Sequence, residues 1–380
     1  MNRKSEEMEM INTEVTVQEL QYAYWLCNIR SLGKNTVRQL LQEAGSAQAV
    51  WQLPGTEAEK LMKPSQYRFF AASRAVWNVE KEYNILESCG IRFIPQMHPE
   101  FPERLRQIPD APVCLYVKGR LPDSARPSVA IIGARMCSEY GRYLAREFGM
   151  ELAGAGIQII SGMAGGVDGI SQKGAILAGG TSYAVMGCGV DCCYPPENRE
   201  LYDMLPENGG IISEYAPGTQ PKANLFPPRN RIISGLADLV LVIEARKHSG
   251  TLITVDMALE QGREVWAVPG RITDRLSDGC NQLIRQGAGI ALSPEDLLQE
   301  FYGIEKADSE TQAKPVLKLT PMENALLGVL DLNLQTISQL YDKMTGAGIQ
   351  TGIPELMNEL VQLCIKGMAE QEGSCFRKKR

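Results

Sequence analysis

Four glycine-bearing segments carry the residue types from which an anion site is built. Gly133-Ala134-Arg135 offers a tight turn followed at once by a cation. Ser161-Gly162-Met163-Ala164 runs on into Gly165-Gly166 and Asp168. Gly187-Cys188-Gly189-Val190-Asp191 precedes Tyr194-Pro195-Pro196, and Ser249-Gly250-Thr251 follows Glu244. Glycine lets a backbone approach a ligand closely, and the amides at a helix start can converge on a phosphate oxygen. Packing is the competing reading for any single loop, because glycine also lets a helix lie close on a strand. No segment matches a nucleotide fingerprint. GxGxxG is absent at Gly133 and incomplete at Gly187 and Gly189, where Cys192 takes the third glycine position, and no GxxxxGK[ST] occurs. Neither a dinucleotide cofactor nor P-loop chemistry is expected.

The segment 215–237 contains no Asp or Glu but carries Lys222, Arg229 and Arg231, with Phe226 and Asn230 between them. Such a stretch suits single-stranded nucleic acid: cations hold the backbone, and a stacked ring is worth about 1–3 kcal/mol per base. An alternative stays open. Phe226 can fill the core, and the arginines can pair with Glu214 or Glu244. Catalytic constellations are poor. The two histidines are His98, in a Pro-rich loop, and His248, which has no evident carboxylate to orient it. Nothing reads as Ser-His-Asp, Cys-His or a metal carboxylate cluster. The residues describe a binder without a catalytic set.

Charge narrows the class of binder. Over 380 residues, 39 Lys+Arg stand against 45 Asp+Glu, a net charge of −6. That excludes binding through bulk positive charge while allowing a local basic groove. Residues 1–14 are polar, without the apolar core of a signal peptide, and no apolar run has the length of a membrane span. A cytoplasmic protein is expected. The ten cysteines then read as reduced, mostly buried groups; Cys188, Cys192 and Cys193 cluster, but without CxxC spacing or a nearby histidine they predict no zinc site.

These residues need elements to position them. Compact apolar runs at 128–132, 157–160, 181–186, 210–213, 239–243 and 264–268 have the composition of strands buried on both faces. Amphipathic segments at 140–152, 170–177, 197–205 and 251–261 alternate with them. The alternation predicts an α/β fold, an extended Rossmann-like doubly wound and mostly parallel sheet over 86–303, with edge strands from 91–118. The glycine turns then fall at strand exits on one sheet edge, where ligands sit in open α/β sheets. Residues 15–85 read as a small helical domain. Its turn Ser31-Leu32-Gly33-Lys34 is similar to a helix-hairpin-helix, or is simply a bundle turn. A polar linker is expected over 304–316. Beyond it, three helical patterns (321–330, 336–343, 354–366) and a hairpin turning at Gln371-Glu372-Gly373 predict a winged helix over 317–380.

Taken in order, five segments resemble the DNA-processing protein A family (DprA, also called Smf): Val129 to Arg135, Ser161 to Asp168, Gly187 to Asp191 with Tyr194-Pro195, Phe226 to Gly235, and Ser249 to Thr254. The resemblance implies a cytosolic bacterial protein that binds and protects single-stranded DNA during natural transformation and helps load the RecA recombinase. It implies a homodimer through the Rossmann-like domain. It places Arg135, Ser161, Gly162, Lys222, Phe226, Arg229 and Asn230 around the DNA; the strand exits add Gly133, Ala134, Gly165, Gly166, Ser249, Gly250 and Thr251, and the acid-free stretch adds Arg231. Ala134, Gly165 and Gln172 depart from the family's usual Ser, Arg and His, which removes a hydroxyl donor and local positive charge.

Two other classes compete. Ser249-Gly250-Thr251 is similar to the end of a loop in Rossmann-like enzymes that cleave nucleoside monophosphates at the glycosidic bond, but no carboxylate follows before Asp256. A transcription factor would read duplex DNA through 354–364, which is acidic and has no Arg or Lys.

Overall fold

The computed structural model describes residues 15–304 and 319–378. The chain divides into two compact units, 1–305 and 306–380. The linker expected over 304–316 lies outside the described residues except for Ile304, as does the polar stretch 1–14.

The first unit opens with six helices: α1 (Val17–Cys27), α2 (Lys34–Ala44), α3 (Ala47–Gln52), α4 (Gly55–Lys60), α5 (Pro64–Val76) and α6 (Val79–Ser88). A nine-stranded sheet follows, made of β1 (Ile91–Pro95), β2 (Cys114–Gly119), β3 (Ser128–Ile132), β4 (Gln158–Ser161), β5 (Ser182–Val185), β6 (Gly209–Ser213), β7 (Leu239–Val242), β8 (Glu264–Ala267) and β9 (Gly289–Ile290). Between them run α7 (Glu103–Arg106), α8 (Glu139–Gly154), α9 (Val167–Leu177), α10 (Arg199–Met204), α11 (Phe226–Leu236), α12 (Gly250–Glu260) and α13 (Asp278–Arg285), with the short α14 (Pro294–Asp296) after β9.

Strand order is β1-β2-β6-β5-β4-β3-β7-β8-β9. From β6 to β9 every pairing is parallel, while β1 and β2 join antiparallel at one edge. The expected doubly wound, mostly parallel sheet is therefore the fold. Burial on both faces explains the apolar strand runs. Val129 and Ile131 of β3 pack into a core with Ala145, Phe148 and Leu152 of α8, whereas Ala130 and Ile132 pack with Ile232 and Ile233 of α11. The chain builds β3 to β6 outward in one direction, then places β7 on the opposite side of β3. The carboxyl ends of β3 and β7 thus flank a topological switch point, the usual ligand crevice of such sheets.

The helices of 15–85 share one continuous core with the sheet. Trp25 is fully buried, with its ring edge-on to Trp51 at 4.6 Å, and Tyr24 meets Phe93 and Tyr116 of the sheet at 5.4 and 6.3 Å. The cation of the Ser31–Lys34 turn is committed: Lys34 is ion-paired with Asp110, and Arg38 of the same helix donates to the Ala111 carbonyl.

The second unit holds α15 (Pro321–Val329), α16 (Ile337–Gly346) and α17 (Ile353–Ile365), with a sheet of β10 (Gln335–Thr336), β11 (Ala369–Glu372) and β12 (Cys375–Lys378) in the order β10-β12-β11. Leu326, Leu340, Leu356, Leu360 and Phe376 form its core. Thr320 caps α15 by accepting the Glu323 amide at 3.1 Å, and the buried Glu323 carboxylate accepts from Lys366 Nζ at 2.6 Å.

Candidate functional site

At the switch point, the turn after β3 and the turn after β7 enclose a crevice of about 510 Å³. Gly133, Ala134, Arg135 and Met136 line it from the β3 side; Ala245, Arg246, Ser249, Gly250 and Thr251 line it from the β7 side. Thr251 Oγ1 donates to the Gly133 carbonyl at 3.3 Å, tying the two turns together. Phe226, Pro227, Arg229 and Asn230 of α11 form the remaining wall with Asp168. The charged groups of the lining are Arg135, Arg229, Arg246 and Asp168, three cations against one carboxylate.

Phe226 lies near two of these cations. The guanidinium carbons of Arg135 and Arg229 each lie 5.9 Å from its ring centre, and the Tyr194 ring lies 5.3 Å away. Gly187 makes room for the Phe226 ring, since a Cβ there would come within 2.7 Å of it. Arg135 and Arg246 are exposed and make no ion pair among the described residues.

Arg229 is different. It is 4% exposed and donates from Nη1 to the Gly162 carbonyl at 2.8 Å and to the Val185 carbonyl. Burial pulls its pKa down to about 10, with the Asp168 charge acting against the fall. Burial likewise pushes the Asp168 carboxyl up, and Arg229 restrains that rise. Asp168 accepts the Gly162 amide at 3.2 Å. Arg229 therefore braces the exits of β4 and β5 while presenting one edge to the crevice.

The start of α12 adds a neutral donor. Ser249 precedes its first turn, and its hydroxyl is buried without a hydrogen-bond partner. A helix N-terminus carries about half a positive charge, so hydroxyl, amides and dipole favour an anion at one point.

Several expected contacts fall elsewhere. The Ser161 hydroxyl is fully buried and donates to the Ile131 carbonyl at 2.6 Å, so it serves the sheet. Arg231 points away from the crevice into a bidentate pair with Glu214, at 2.7 and 2.6 Å. Burial disfavours its charge, but the Glu214 bonds and the Asp110 charge outweigh this and hold its pKa above the usual value. The pairing alternative with Glu214 thus describes Arg231, and the acid-free stretch supplies fewer free cations than its composition promised. Gly162, Gly165 and Gly166 do not line the crevice. Gly162 leaves room for the Arg229 guanidinium, and Gly166 has a left-handed φ of 74° with the Ala134 carbonyl where a Cβ would lie. Lys222 is exposed ahead of α11, outside the lining.

Other residues joined the site without an expectation. Arg246 lines the crevice because it stands at the same strand exit as Ser249, a signal available from its position after β7. Met136 and Ile253, 86% and 40% exposed, bring apolar surface to the crevice, which no charge or glycine pattern marks. Glu244, the acid nearest the Ser249 turn in sequence, is 1% exposed and accepts from the Ser138 amide at 2.9 Å and from the Ser138 hydroxyl beneath the start of α8. Among the described residues no three His, Cys, Asp or Glu side chains are placed to hold a metal ion, and no helix is long and apolar enough to cross a membrane.

Comparison with known proteins places the chain in a family. The chain is 42% identical over 219 residues to the DNA processing protein DprA of Streptococcus pneumoniae, covering 58% of this chain and 73% of that protein. It is 40% identical over 225 residues to the protein Smf of Escherichia coli, covering 59% and 60%. The X-ray structure of the S. pneumoniae protein matches 74% of this chain and 98% of its own at a TM-score of 0.66 and 33% identity. The Helicobacter pylori DNA processing protein A, described for its single-stranded DNA binding mode, matches 56% and 96% at a TM-score of 0.51 and 28% identity. The family model for the DNA recombination-mediator protein A matches residues 92–302, and the chain belongs to that family.

Proposed function

We propose that the switch-point crevice binds single-stranded DNA and that the protein acts as a non-catalytic recombination mediator in the cytoplasm. The observation that carries this reading is the partly exposed Phe226 ring with two guanidinium groups beside it, in a crevice lined by three arginines and one carboxylate. A nucleobase can stack where a ring is exposed at one face, while Arg135, Arg246 and the start of α12 take the flanking phosphates. Duplex DNA presents no free base face, so the crevice favours single strands. The related H. pylori protein, which binds single-stranded DNA, supports the same assignment.

Loading of the RecA recombinase, a homodimer through the Rossmann-like domain, and a role in natural transformation follow the family resemblance. The second unit reads as a winged helix whose α17 leaves Glu355, Asn358 and Val361 exposed, a face suited to protein contact more than to a DNA groove. A glycosidic hydrolase needs a carboxylate facing substrate. Glu244 is spent on Ser138, and Asp168, the one carboxylate of the lining, is buried beside Arg229 and accepts the Gly162 amide, so we expect no free base from AMP.

A gel shift with single- and double-stranded oligonucleotides of equal length, across a salt series, tests the reading. The single strand should bind more tightly at every salt concentration. Equal or preferred binding of the duplex would overturn it.

A further inference from the structure

Arg229 and Arg231 lie two positions apart on α11, about 200° around the helix axis, and so serve opposite sides of it. One side faces the crevice. The other enters a bracket that reaches the N-terminal helices. Arg231 is 5% exposed; besides its pair with Glu214 it donates Nε to the Asp110 carbonyl at 2.8 Å and Nη1 to the Pro228 carbonyl at 2.7 Å. Asp110 holds a left-handed φ of 57°, which turns that carbonyl toward Arg231. Its carboxylate takes Lys34 of α2 and stands 3.5 Å from Arg231 Nε. Arg38, one helical turn after Lys34, donates to the next carbonyl, that of Ala111. From the far side, Gln261 at the end of α12 donates to the Arg231 carbonyl at 2.9 Å.

We propose that Arg231 and Asp110 are positioning residues, a strut through which α2 sets the pitch of α11 and thereby the placement of Phe226, Arg229 and Asn230 in the crevice. The inference rests on the DNA-binding reading for its affinity consequence but not for its structural one. When the pair's outer support goes, the start of α11, which lies ahead of the core residues Ile232, Ile233 and Leu236, can shift with Arg231 while that core holds the rest of the helix. The first-unit helices then contribute to affinity without touching the ligand.

The test uses the full chain with Lys34→Met, Lys34→Arg and Asp110→Asn. Lys34 and Asp110 side chains are 34% and 46% exposed, so these changes leave the core packing intact, and Asn tolerates the left-handed backbone. Two readouts apply: oligo-dT affinity as a function of salt, and the ¹³C-methyl resonances of Met136 and Met163 without DNA. We expect Lys34→Met and Asp110→Asn to weaken binding about fivefold, at the low end of coupling between sites, with an unchanged salt slope because no phosphate contact is lost. Lys34→Arg should restore most of the affinity. Both weakening variants should shift the Met136 methyl, which lines the crevice. Wild-type affinity with unshifted methyls would overturn the strut, as would a reduced salt slope, which would make Lys34 a phosphate contact. If the wild-type chain binds no DNA, the functional reading fails and the Met136 shift still decides the strut.

Discussion

The two ends of the parallel sheet treat their polar groups in opposite ways. At the amino ends of β3, β4 and β7 they are used against one another. Asp238 accepts the Ser128 amide and hydroxyl at 2.8 and 3.0 Å and pairs with Arg104 at 2.6 Å. Gln158 bridges Asp123 and Arg126, and the Tyr302 hydroxyl donates to the Ser128 carbonyl at 2.8 Å. At the carboxyl end, Arg135 and Arg246 stand in solvent, the Ser249 hydroxyl is unpartnered, and Phe226 is partly exposed. Both ends carry arginine, serine and an acidic residue. Composition is shared; what separates a structural end from a binding end is whether a partner of opposite character lies within reach. Arg229 and Arg231 repeat the contrast on a smaller scale, one reaching the crevice and the other closed off by Glu214.

Arg229→Met should break the contrast most severely. It strips hydrogen bonds from the Gly162 and Val185 carbonyls and leaves Asp168 uncompensated, so stability should fall by about 2–3 kcal/mol and single-strand binding should vanish. Denaturant unfolding and fluorescence anisotropy check the two effects. Retained binding would show that the crevice is not the site. Phe226→Ala should cost about 1–3 kcal/mol of binding if one base stacks on the ring. Its thermal midpoint should move little, since the ring is only partly buried. At the other end, Asp238→Asn should reverse the pattern: about 1–2 kcal/mol of stability lost with the Arg104 pair, and oligo-dT affinity unchanged. A loss of affinity in that variant would mean that the two ends are not separate.

The second unit gives the smallest effect. Lys366 bonding to Glu323 holds its carboxyl below the usual carboxylate range. Because the folded pKa is depressed, this contribution is complete above the unfolded value of 4.5 and is lost as pH falls through the folded one. Protection factors of the α15 amides in the full chain, which remove the intrinsic pH dependence of exchange, should therefore fall on acidification below 4.5, and Glu323→Gln should flatten that dependence. A variant as acid-sensitive as wild type would assign the effect to another group.

Much of this architecture is legible in the sequence because parallel strands buried on both faces must be apolar throughout. Runs such as Ser128–Ile132 can then be little else. The glycine turns after β3 and β7 pointed to the crevice because they stand at strand exits, whereas the glycines after β4 and β5 do not line it. What the sequence did not separate was the use of each polar group. Arg231 looked as free as Arg229 because Asp110, its second partner, lies 121 residues away, and Glu214 stands just outside the acid-free stretch. The Ser161 hydroxyl, an apparent ligand donor, turns into the sheet because β4 ends at that residue and the Ile131 carbonyl of the neighbouring strand needs a partner. Met136 and Ile253 carried no signal, since exposed apolar residues follow no spacing rule. Partners distant in sequence decide which charges remain available, and only the fold reveals them.

The most direct measurement is the salt dependence of oligo-dT affinity for wild type, Arg135→Ala and Ser128→Ala. The account predicts a weaker complex for Arg135→Ala with a salt slope lower by about one unit, the signature of one lost phosphate contact, and a wild-type slope and affinity for Ser128→Ala. Identical slopes and affinities for wild type and Arg135→Ala would contradict the claim that the unpaired end of the sheet holds the DNA.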